Sequence, residues 1–580
     1  MNPSRYQLPQ HVSADRLRAR TDTLAHERQQ FEWDKRDHVE DDPQIRDGAT
    51  RLLPPTVKTL PPAFDFPRSM QAALVADTVR TTAIEVTSRL TTTLFPLRSE
   101  RDYRRLFDRM GGTSDIFARW KEDTEFGRQR MTGVNPMHLT RCRGLDNPDL
   151  ERAALYMLNH IDARRRAWTF ESAVVSRRLF MTDYAALADP RIQECAQRDL
   201  YLAAPTCVFW ADDRGDLVPL AIQLKPQRVR EKNPVFTPLH SFADWMIARA
   251  HAQSADAHFH ESPYHLLETH LVNGVIAMAM HRELHPDHPL RQLIAPHYDY
   301  TLAINKMADE NLLRPNGSID NGLTGRVRGA LRAAQIFYTT WRWDERTLER
   351  DLEHRGVDDP DTLPQYYYRD DATKVNDAIK SYASAILRLW YRSDADVVGD
   401  VELQAFLRAV GDDDQGAVPG FPRSVLTVAE LSTLAAEMIF RAGPQHAAVN
   451  NGQFDAYGWI LGTPGTVSAA PPDAAWEVGA GERTSCFNES ALWRAMPDPK
   501  PALAQMGMVW ILSRPTRRSL LQAGDSPAFH PTLCFEADDI IGAFRRRLNA
   551  ISESIQKRNE RIQRPYRYLD PTNISRSTDI

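Results

Sequence analysis

The sequence predicts a mainly α protein with a small β-rich subregion and a helical N-terminal extension. Apolar residues recur at helical spacing through long stretches, as in residues 301–313. Two short apolar runs, Cys207 to Trp210 and Leu217 to Leu224, flank the turn sequence ADDRGD and predict a β-hairpin. Residues 543–580 read as a charged amphipathic helix followed by an extended tail.

Two segments make up the predicted N-terminal extension, which we place at residues 1–110 ahead of a main domain at 111–580. Residues 16–42 are rich in charge and predict an exposed helix, and the sequence LLPPTVKTLPP predicts a linker. Residues 64–96 carry apolar side chains at helical spacing, namely Ala72, Leu74, Val75, Val79, Ala83, Val86 and Leu90. We expect this face to pack against the main domain. The alternative is a lid or a transient membrane-surface contact.

Composition and charge exclude several classes of protein. The net charge of −5 supplies no basic surface, which argues against nucleic acid as a partner. Five cysteines without a CxxC pair argue against both a disulfide framework and a zinc-thiolate site. The N-terminus has no signal-peptide pattern, and no apolar run approaches the ~20 residues of a membrane span. We therefore expect a cytoplasmic protein.

Two histidines, His265 and His270, precede an almost wholly apolar run from Val272 to Met280. On a regular α-helix, residues five apart lie about 140° apart around the axis. One inserted residue, a π-bulge, would bring both imidazoles onto one face. Two neutral imidazoles on a buried face suit a divalent transition metal such as iron or zinc. The alternative is that each is a hydrogen-bonded core histidine.

The sequence HESPYHLLETH, followed at residue 288 by HPLRQLIAPHYDYTLAIN, resembles the signature helix and its continuation in lipoxygenases. These are non-haem iron dioxygenases of polyunsaturated fatty acids. The similarity is nearly continuous from Trp120 onward. It implies a lipoxygenase-like helical catalytic domain at 111–580 in a compact, bacterial-type member of the family. No run of alternating strands corresponds to the N-terminal β-barrel lipid-contact domain of plant and animal members.

The resemblance implies a complete set of iron ligands. They are His265, His270, His446, Asn450 and the C-terminal carboxylate of Ile580. These nitrogen and oxygen donors suit both Fe(II) and Fe(III). In the mechanism that the family implies, a metal-bound hydroxide takes the hydrogen from substrate, so no side chain serves as acid or base. Spacing adds Glu261, one turn before His265, and Gln453, three residues after Asn450, as residues that orient the ligands.

The resemblance also assigns residues to the substrate channel. Ala308 occupies the family position where alanine accompanies S hydroperoxides and glycine accompanies R hydroperoxides. Leu312 falls where a leucine clamps the pentadiene beside the metal. Gly274 departs from the family, in which many members have glutamate. Four further histidines match no ligand position: His281, His285, His288 and His297.

The implied activity is insertion of O2 into a polyunsaturated fatty acid of the linoleate, linolenate or arachidonate type, which gives a hydroperoxide. Manganese in place of iron, or hydroperoxide isomerase activity, would be compatible with the same ligands. A more distant alternative is a lipid-binding protein without activity. The sequence leaves open the preferred fatty acid, the regiochemistry, the residue that binds the substrate carboxylate and the oligomeric state.

Overall fold

The computed structural model describes residues 6–35, 53–94, 97–112, 116–162, 167–226, 233–472, 487–515, 518–523 and 535–578. Helices account for 59% of the structure and strands for 5%, which confirms the mainly α prediction. In the part of the chain that is described, no helix combines the length and the apolar character needed to cross a bilayer.

Among the described residues, all the strands lie within the first 236 positions, together with seven α-helices. These helices are α1 (Ala14–Gln30), α2 (Arg68–Leu94), α3 (Glu100–Arg109), α4 (Asp123–Thr132), α5 (Pro148–Ile161), α6 (Phe170–Val175) and α7 (Pro190–Gln193). The strands are β1 (Trp33–Asp34), β2 (Thr56–Val57), β3 (Thr140–Arg141), β4 (Leu179–Asp183), β5 (Thr206–Ala211), β6 (Leu217–Gln223) and β7 (Val235–Phe236).

Helices make up the rest of the fold, and two of them are π-helices, π1 (His260–Leu271) and π2 (Arg441–Gln445). The α-helices are α8 (Phe242–Phe259), α9 (Val272–Glu283), α10 (Pro289–Ile294), α11 (Thr301–Asn311), α12 (Ser318–Gly322), α13 (Arg326–Thr340), α14 (Leu348–Arg355), α15 (Tyr367–Leu387), α16 (Asp394–Val398), α17 (Val401–Gly411), α18 (Val428–Phe440), α19 (His446–Asn450), α20 (Gln453–Tyr457), α21 (Glu489–Ala495), α22 (Pro499–Leu512) and α23 (Phe535–Asn559). The 3-10 helices are Pro9–His11, Pro62–Phe64, Ala185–Ala188, Ala295–His297, Trp343–Glu345 and Leu520–Gln522.

The β-rich subregion is a five-stranded antiparallel sheet in the sequential order β3-β4-β5-β6-β7. The predicted hairpin is confirmed, because β5 pairs antiparallel with β6 across the ADDRGD turn. All six residues of β5 are buried, since α5 covers one face of the sheet and the helical body covers the other. A strand covered on both faces loses the alternation of polar and apolar residues, which is why its sequence reads as one apolar run.

A continuous helical rod of α8, π1 and α9 runs through the centre of the molecule. The backbone stays in the right-handed helical region at both junctions, at His260 and at Val272. All but a few of its side chains are buried, including every residue from Val272 to Met280. The predicted core helix around the histidine pair is therefore confirmed. A second rod, formed by α18, π2 and α19, packs beside the first.

The N-terminal extension behaves differently in its two halves. Most of α1 is exposed, as predicted, yet its Arg20 is buried and forms two hydrogen bonds of 2.7 and 2.8 Å with Glu402. In α2 the expected packing is confirmed only in part. The helix packs against α22 and Leu74 contacts the core, but Val75, Val79, Val86 and Leu90 are between 51 and 68% exposed. The opposite face combines partly buried apolar residues with buried polar ones. Helical periodicity identifies a shared face but does not say which face is buried.

Candidate metal centre

The histidine pair lies on π1, a twelve-residue π-helix. Pro263 has no backbone N–H to donate, which weakens regular α-helical bonding and favours the wider turn. The insertion brings His265 and His270 together, and their Nε2 atoms are 3.1 Å apart. When two ligand atoms bind one metal at 90° to each other, with bonds of about 2.1 Å, the two ligand atoms also lie about 3 Å apart.

Hydrogen bonds at the opposite ring nitrogens fix how the two imidazoles are protonated. The Nδ1 of His265 lies 3.2 Å from a carboxylate oxygen of Glu261. The Nδ1 of His270 lies 3.0 Å from Oδ1 of Asn305, whose Nδ2 donates to the His270 carbonyl. Both acceptors require an N–H at Nδ1, so both Nε2 atoms carry lone pairs that point at each other. Lone pairs converging at this distance repel unless a cation lies between them.

Burial keeps these imidazoles neutral. It lowers the pKa of His265, with Glu261 opposing, and together with the neighbouring His265 it lowers the pKa of His270 to about 3. Burial disfavours the Glu261 carboxylate, but the imidazoles of His260 and His265 favour it more strongly, and its pKa falls to about 2. The result is two neutral nitrogen donors beside a fixed negative charge, as a metal cation requires.

A third imidazole comes from the second rod. His446 begins α19 directly after π2, in which Pro444 again lies inside the wider turn. Its ring centroid lies 5.6 Å from that of His265 and 5.0 Å from that of His270. One ligand atom from each of the three histidines lies within 4.8 Å of the others, and all three side chains are buried. The structure therefore brings together three residues predicted as ligands from positions far apart in the sequence.

Asn450 ends the same short helix. Its Nδ2 donates to the carbonyl of Leu512 at 2.9 Å, and its Oδ1 accepts from Nε2 of Gln453 at 3.0 Å. These bonds fix the orientation of the amide and leave the second lone pair of Oδ1 for another partner. Gln453 therefore contacts the predicted ligand Asn450, as its spacing in the sequence indicates.

The C-terminal tail passes between the two π-helices. The Thr578 hydroxyl donates to the carbonyl of Ala442 at 3.0 Å and accepts from Nδ2 of Asn273. Gly443 leaves room for this path, because a Cβ there would lie 2.9 Å from the carbonyl oxygen of Ser575. Ile580, the predicted carboxylate ligand, lies outside the described residues.

The four histidines that match no ligand position have other contacts. His281 stacks on Phe31 with centroids 4.5 Å apart, and His285 accepts from a backbone N–H two residues on. His288 lies 2.9 Å from a carboxylate oxygen of Asp400, and Nδ1 of His297 donates to the carbonyl of Arg576. None of the four belongs to the cluster formed by described residues.

A cavity of about 650 Å³ opens beside the histidine cluster. His265, His270, Ala308 and Leu312 all line it, so both predicted channel residues share a wall with two predicted ligands. A second cavity of about 630 Å³ lies on the other side of α11. Ala308 and His270 line both cavities, so the Ala308 side chain stands at the boundary between them.

Asn305, which orients His270, was not singled out from the sequence. Its position depends on Gly274, because a Cβ at residue 274 would lie 2.8 Å from Nδ2 of Asn305. In the sequence, Gly274 stands out only as a departure from the glutamate of many family members. The structure gives that departure a reason, since any side chain at this site would displace the amide that holds His270.

We expect Gly274→Ala to weaken metal binding by about 10–100-fold, the usual cost of losing an outer partner of a histidine ligand. Alanine favours a helix interior by up to about 1 kcal/mol over glycine, so the defect should appear without loss of folding. Competition with a chelator of known affinity measures the change. Gly507→Ala is the matched control, because the added Cβ meets only Thr81, at 3.7 Å, and should leave metal affinity unchanged.

Glu268 is a second residue that sequence reasoning missed. It is completely buried on π1, between the two histidines. Its carboxylate accepts from Trp341 and Arg346 at 2.9 Å and from Gln445 at 2.8 Å. Gln445 precedes His446, so Glu268 connects the two helical rods next to their histidines. A buried glutamate in an apolar stretch is the signal that could have identified it.

Fold and site together define a helical protein with a buried three-imidazole centre beside a largely apolar cavity. The lipoxygenase family model matches residues 87–571, and the chain belongs to this family. The chain is 32% identical over 495 residues to the polyunsaturated fatty acid lipoxygenase ALOX8 of Mus musculus, covering 83% of this chain and 69% of that one. It is 32% identical to the human hydroperoxide isomerase ALOXE3, covering 81% and 63%.

Solved structures agree with this assignment. An anaerobic crystal structure of a LOX variant in complex with arachidonate superposes with a TM-score of 0.88 at 27% identity, covering 99% of this chain and 83% of that chain. Coral 8R-lipoxygenase gives a TM-score of 0.86 at 27% identity, covering 100% and 83%. The chain spans about two thirds of the length of the curated relatives named above.

Proposed function

We propose that this chain is a non-haem iron dioxygenase that inserts O2 into polyunsaturated fatty acids containing a cis,cis-1,4-pentadiene. The observation that carries the proposal is the cluster of His265, His270 and His446, in which the Nε2 atoms of the first two lie 3.1 Å apart, beside a cavity large enough for an acyl chain. Membership of the lipoxygenase family supports the reaction class.

The proposed ligands are His265, His270, His446, Asn450 and the terminal carboxylate of Ile580. Three neutral imidazoles, an amide oxygen and one carboxylate suit iron, and manganese fits the same donors. When bound, iron would supply the one-electron oxidation that removes hydrogen from the bis-allylic carbon. The inward path of the tail at Thr578 supports Ile580 as a ligand. Appending one glycine after Ile580 should therefore lower the metal content of the purified chain.

The remaining residues bind and orient the substrate. Leu312 and the other apolar side chains of the cavity exclude water and hold the pentadiene beside the histidines. Glu261 and Asn305 hold the N–H of each imidazole at Nδ1, so the Nε2 atoms stay available to the metal. Ala308 is one of six residues that line both cavities, and we propose that its methyl group directs O2 to one face of the substrate radical.

We expect Ala308→Gly to shift the product from the S toward the R hydroperoxide. Removing the methyl group opens the boundary between the cavities and gives O2 a second approach. Chiral-phase chromatography of the products measures the ratio. Ala303→Gly is the matched control, because Ala303 lies on the same helix and lines only the first cavity. It carries a similar helix penalty of about 1 kcal/mol and should keep the S product. An unchanged ratio in Ala308→Gly would remove this residue from stereocontrol.

A hydroperoxide isomerase is the second candidate function. One observation favours it, namely the 32% identity to ALOXE3, which equals the identity to ALOX8. A lipid-binding protein without activity is a more distant alternative. It gives no reason for three buried imidazoles to converge on one point.

Metal analysis combined with a diene assay tests the proposal. The purified chain should contain stoichiometric iron and should generate absorbance from conjugated diene when incubated with linoleate and O2. Bound metal without diene formation, but with consumption of added fatty-acid hydroperoxide, would identify the isomerase. Manganese in the metal analysis would change the cofactor and keep the fold. A metal-free chain that binds fatty acid would support the lipid-binding alternative.

An enzyme of this class must collect a poorly soluble substrate. We infer that the chain makes transient contact with a membrane surface, where polyunsaturated acyl chains are concentrated.

A further inference from the structure

Helix α2 exposes an apolar stripe to solvent, whereas a surface helix usually turns such a stripe toward the core. Val75, Val79, Val86 and Leu90 are 62, 62, 51 and 68% exposed, and we call these four residues the α2 stripe. At about 100° per residue they fall within about 60° of one another around the helix axis. Four aliphatic side chains aligned on one exposed face form a contiguous apolar surface, which a chain surrounded only by water has no reason to maintain.

The opposite face of α2 is mixed and packs against the rest of the protein. Its apolar residues Met70, Leu74 and Ile84 are partly buried against the core. Its buried polar residues include Asp77, Thr81, Ser88 and Thr92. Asp77 forms an ion pair with Arg514, and Ser88 accepts a hydrogen bond of 3.1 Å from Arg109. The helix therefore packs on α22 and its surroundings through both polar and apolar contacts, and the α2 stripe is turned away from them.

The stripe is continuous with the mouth of the cavity beside the histidines. Val75 and Val79 line that cavity together with His265 and Leu312. Anything that covers the stripe therefore lies against the entrance. A second protein molecule seated there would obstruct the cavity, whereas a lipid surface would deliver acyl chains to it.

The charges on α2 indicate which kind of lipid the stripe would contact. Arg68, Arg80 and Arg89 are exposed. Arg68 and Arg89 border the stripe, whereas Arg80 turns toward α22 and lies over the ring of Trp510 at 4.5 Å. Neither acidic residue of α2 is exposed, since Asp77 is buried and Glu85 is half-buried beside Arg89. An apolar stripe edged by arginines is the pattern of helices that lie on anionic bilayers.

We propose that the α2 stripe docks the protein on an anionic lipid bilayer and places the cavity mouth against the membrane. The proposal names the surface for the membrane contact inferred above and rests on the proposed function, because only a lipid substrate makes delivery at this mouth useful. Arginines at the edge attract the anionic headgroups, and the four aliphatic side chains enter the acyl boundary.

Binding to vesicles tests the proposal without any turnover. Wild-type protein should cosediment with phosphatidylglycerol vesicles, bind phosphatidylcholine vesicles more weakly, and lose affinity as salt rises. The variant Val75→Ser, Val79→Ser, Val86→Ser, Leu90→Ser should bind the anionic vesicles at least about tenfold more weakly. The matched control carries the same three Val→Ser and one Leu→Ser changes at residues as exposed but outside α2, namely Val175, Val398, Val401 and Leu426. It should bind like wild type.

Three results would overturn the proposal. They are a wild-type protein that does not bind anionic vesicles, equal binding by the stripe variant, and equal weakening by the control. Sedimentation velocity adds a fourth, since a wild-type dimer that the stripe variant abolishes would make a second copy the occupant. Failure of the proposed function is distinguishable, because the diene assay on detergent-dispersed linoleate would then be negative while vesicle binding remained intact.

Discussion

His446→Ala is expected to yield a folded protein that retains almost no metal and has lost more than about 100-fold of its diene-forming activity. Loss of an outer partner already costs about 10–100-fold, and this change removes a donor itself. His446 is the only one of the three clustered imidazoles that the second rod supplies. Its removal leaves two imidazoles, both from the first rod, and the proposed oxygen ligands Asn450 and Ile580. Metal content by atomic emission and the rate of diene formation measure the two effects.

The control for this variant is His285→Ala. His285 is half-buried and outside the cluster, and its Nδ1 accepts only from a nearby backbone N–H among the bonds described for it. We expect normal metal content in this variant. Circular dichroism should show that both variants are folded. If His446→Ala keeps its metal, the three-imidazole centre is not the site that holds it.

Glu268→Ala should destabilise the protein by about 3–5 kcal/mol, the usual cost of leaving buried charges without their partner. The change removes one of the two carboxylates that pair with the guanidinium of Arg346. It also removes the carboxylate that lies 3.8 Å from the guanidinium of Arg441. It also removes the acceptor of Gln445, beside His446. We therefore expect a lower thermal midpoint together with a lower metal content.

One further variant at Glu268 separates the effect of its charge from that of its shape, and a variant at an exposed glutamate serves as the control. Glu268→Gln keeps the volume and one oxygen acceptor, and it should fall between wild type and alanine. Glu345→Ala removes an exposed glutamate that lies 3.8 Å from Arg342, and it should change stability by less than about 1 kcal/mol. A thermal midpoint of Glu268→Ala equal to that of Glu345→Ala would show that the buried network contributes nothing.

The π-helix around the histidine pair could be predicted because the five-residue spacing admits few solutions. Two imidazoles on one face need an inserted residue, and the structure has the π-helix that supplies it. The second π-helix was not predicted, since His446 and Asn450 at a spacing of four fit a regular α-helix. Pro444 was the available signal, because proline inside a helix removes a backbone donor just as Pro263 does.

The partners that orient the ligands could be predicted only where they are local. Glu261 and Gln453 lie within four residues of the side chains they contact, so helical spacing finds them. Asn305 meets His270 across 35 residues and Gln445 meets Glu268 across 177. No local pattern encodes such contacts, because they arise when whole helices pack against each other.

The sequence alone does not show which face of α2 is buried. Its apolar and polar stripes have the same helical period, and the choice between them depends on what the body offers. Arg514 of the main domain pairs with Asp77, and Arg109 of α3 donates to Ser88. The face that carries these polar residues and Leu74 is therefore buried, and the expected packing fails for the α2 stripe for this physical reason.

The position of Thr578 between the two π-helices also determines when the fold can be completed during synthesis. Its hydroxyl lies 3.3 Å from the carbonyl of Thr269, across 309 positions in the chain. A ribosome adding about 5–20 residues per second needs roughly 15–60 s to cover that interval. In the last part of that interval, after residues 441–445 have been made, the cleft between the two π-helices still lacks the tail. The tail therefore packs between the two rods only after both have been synthesised.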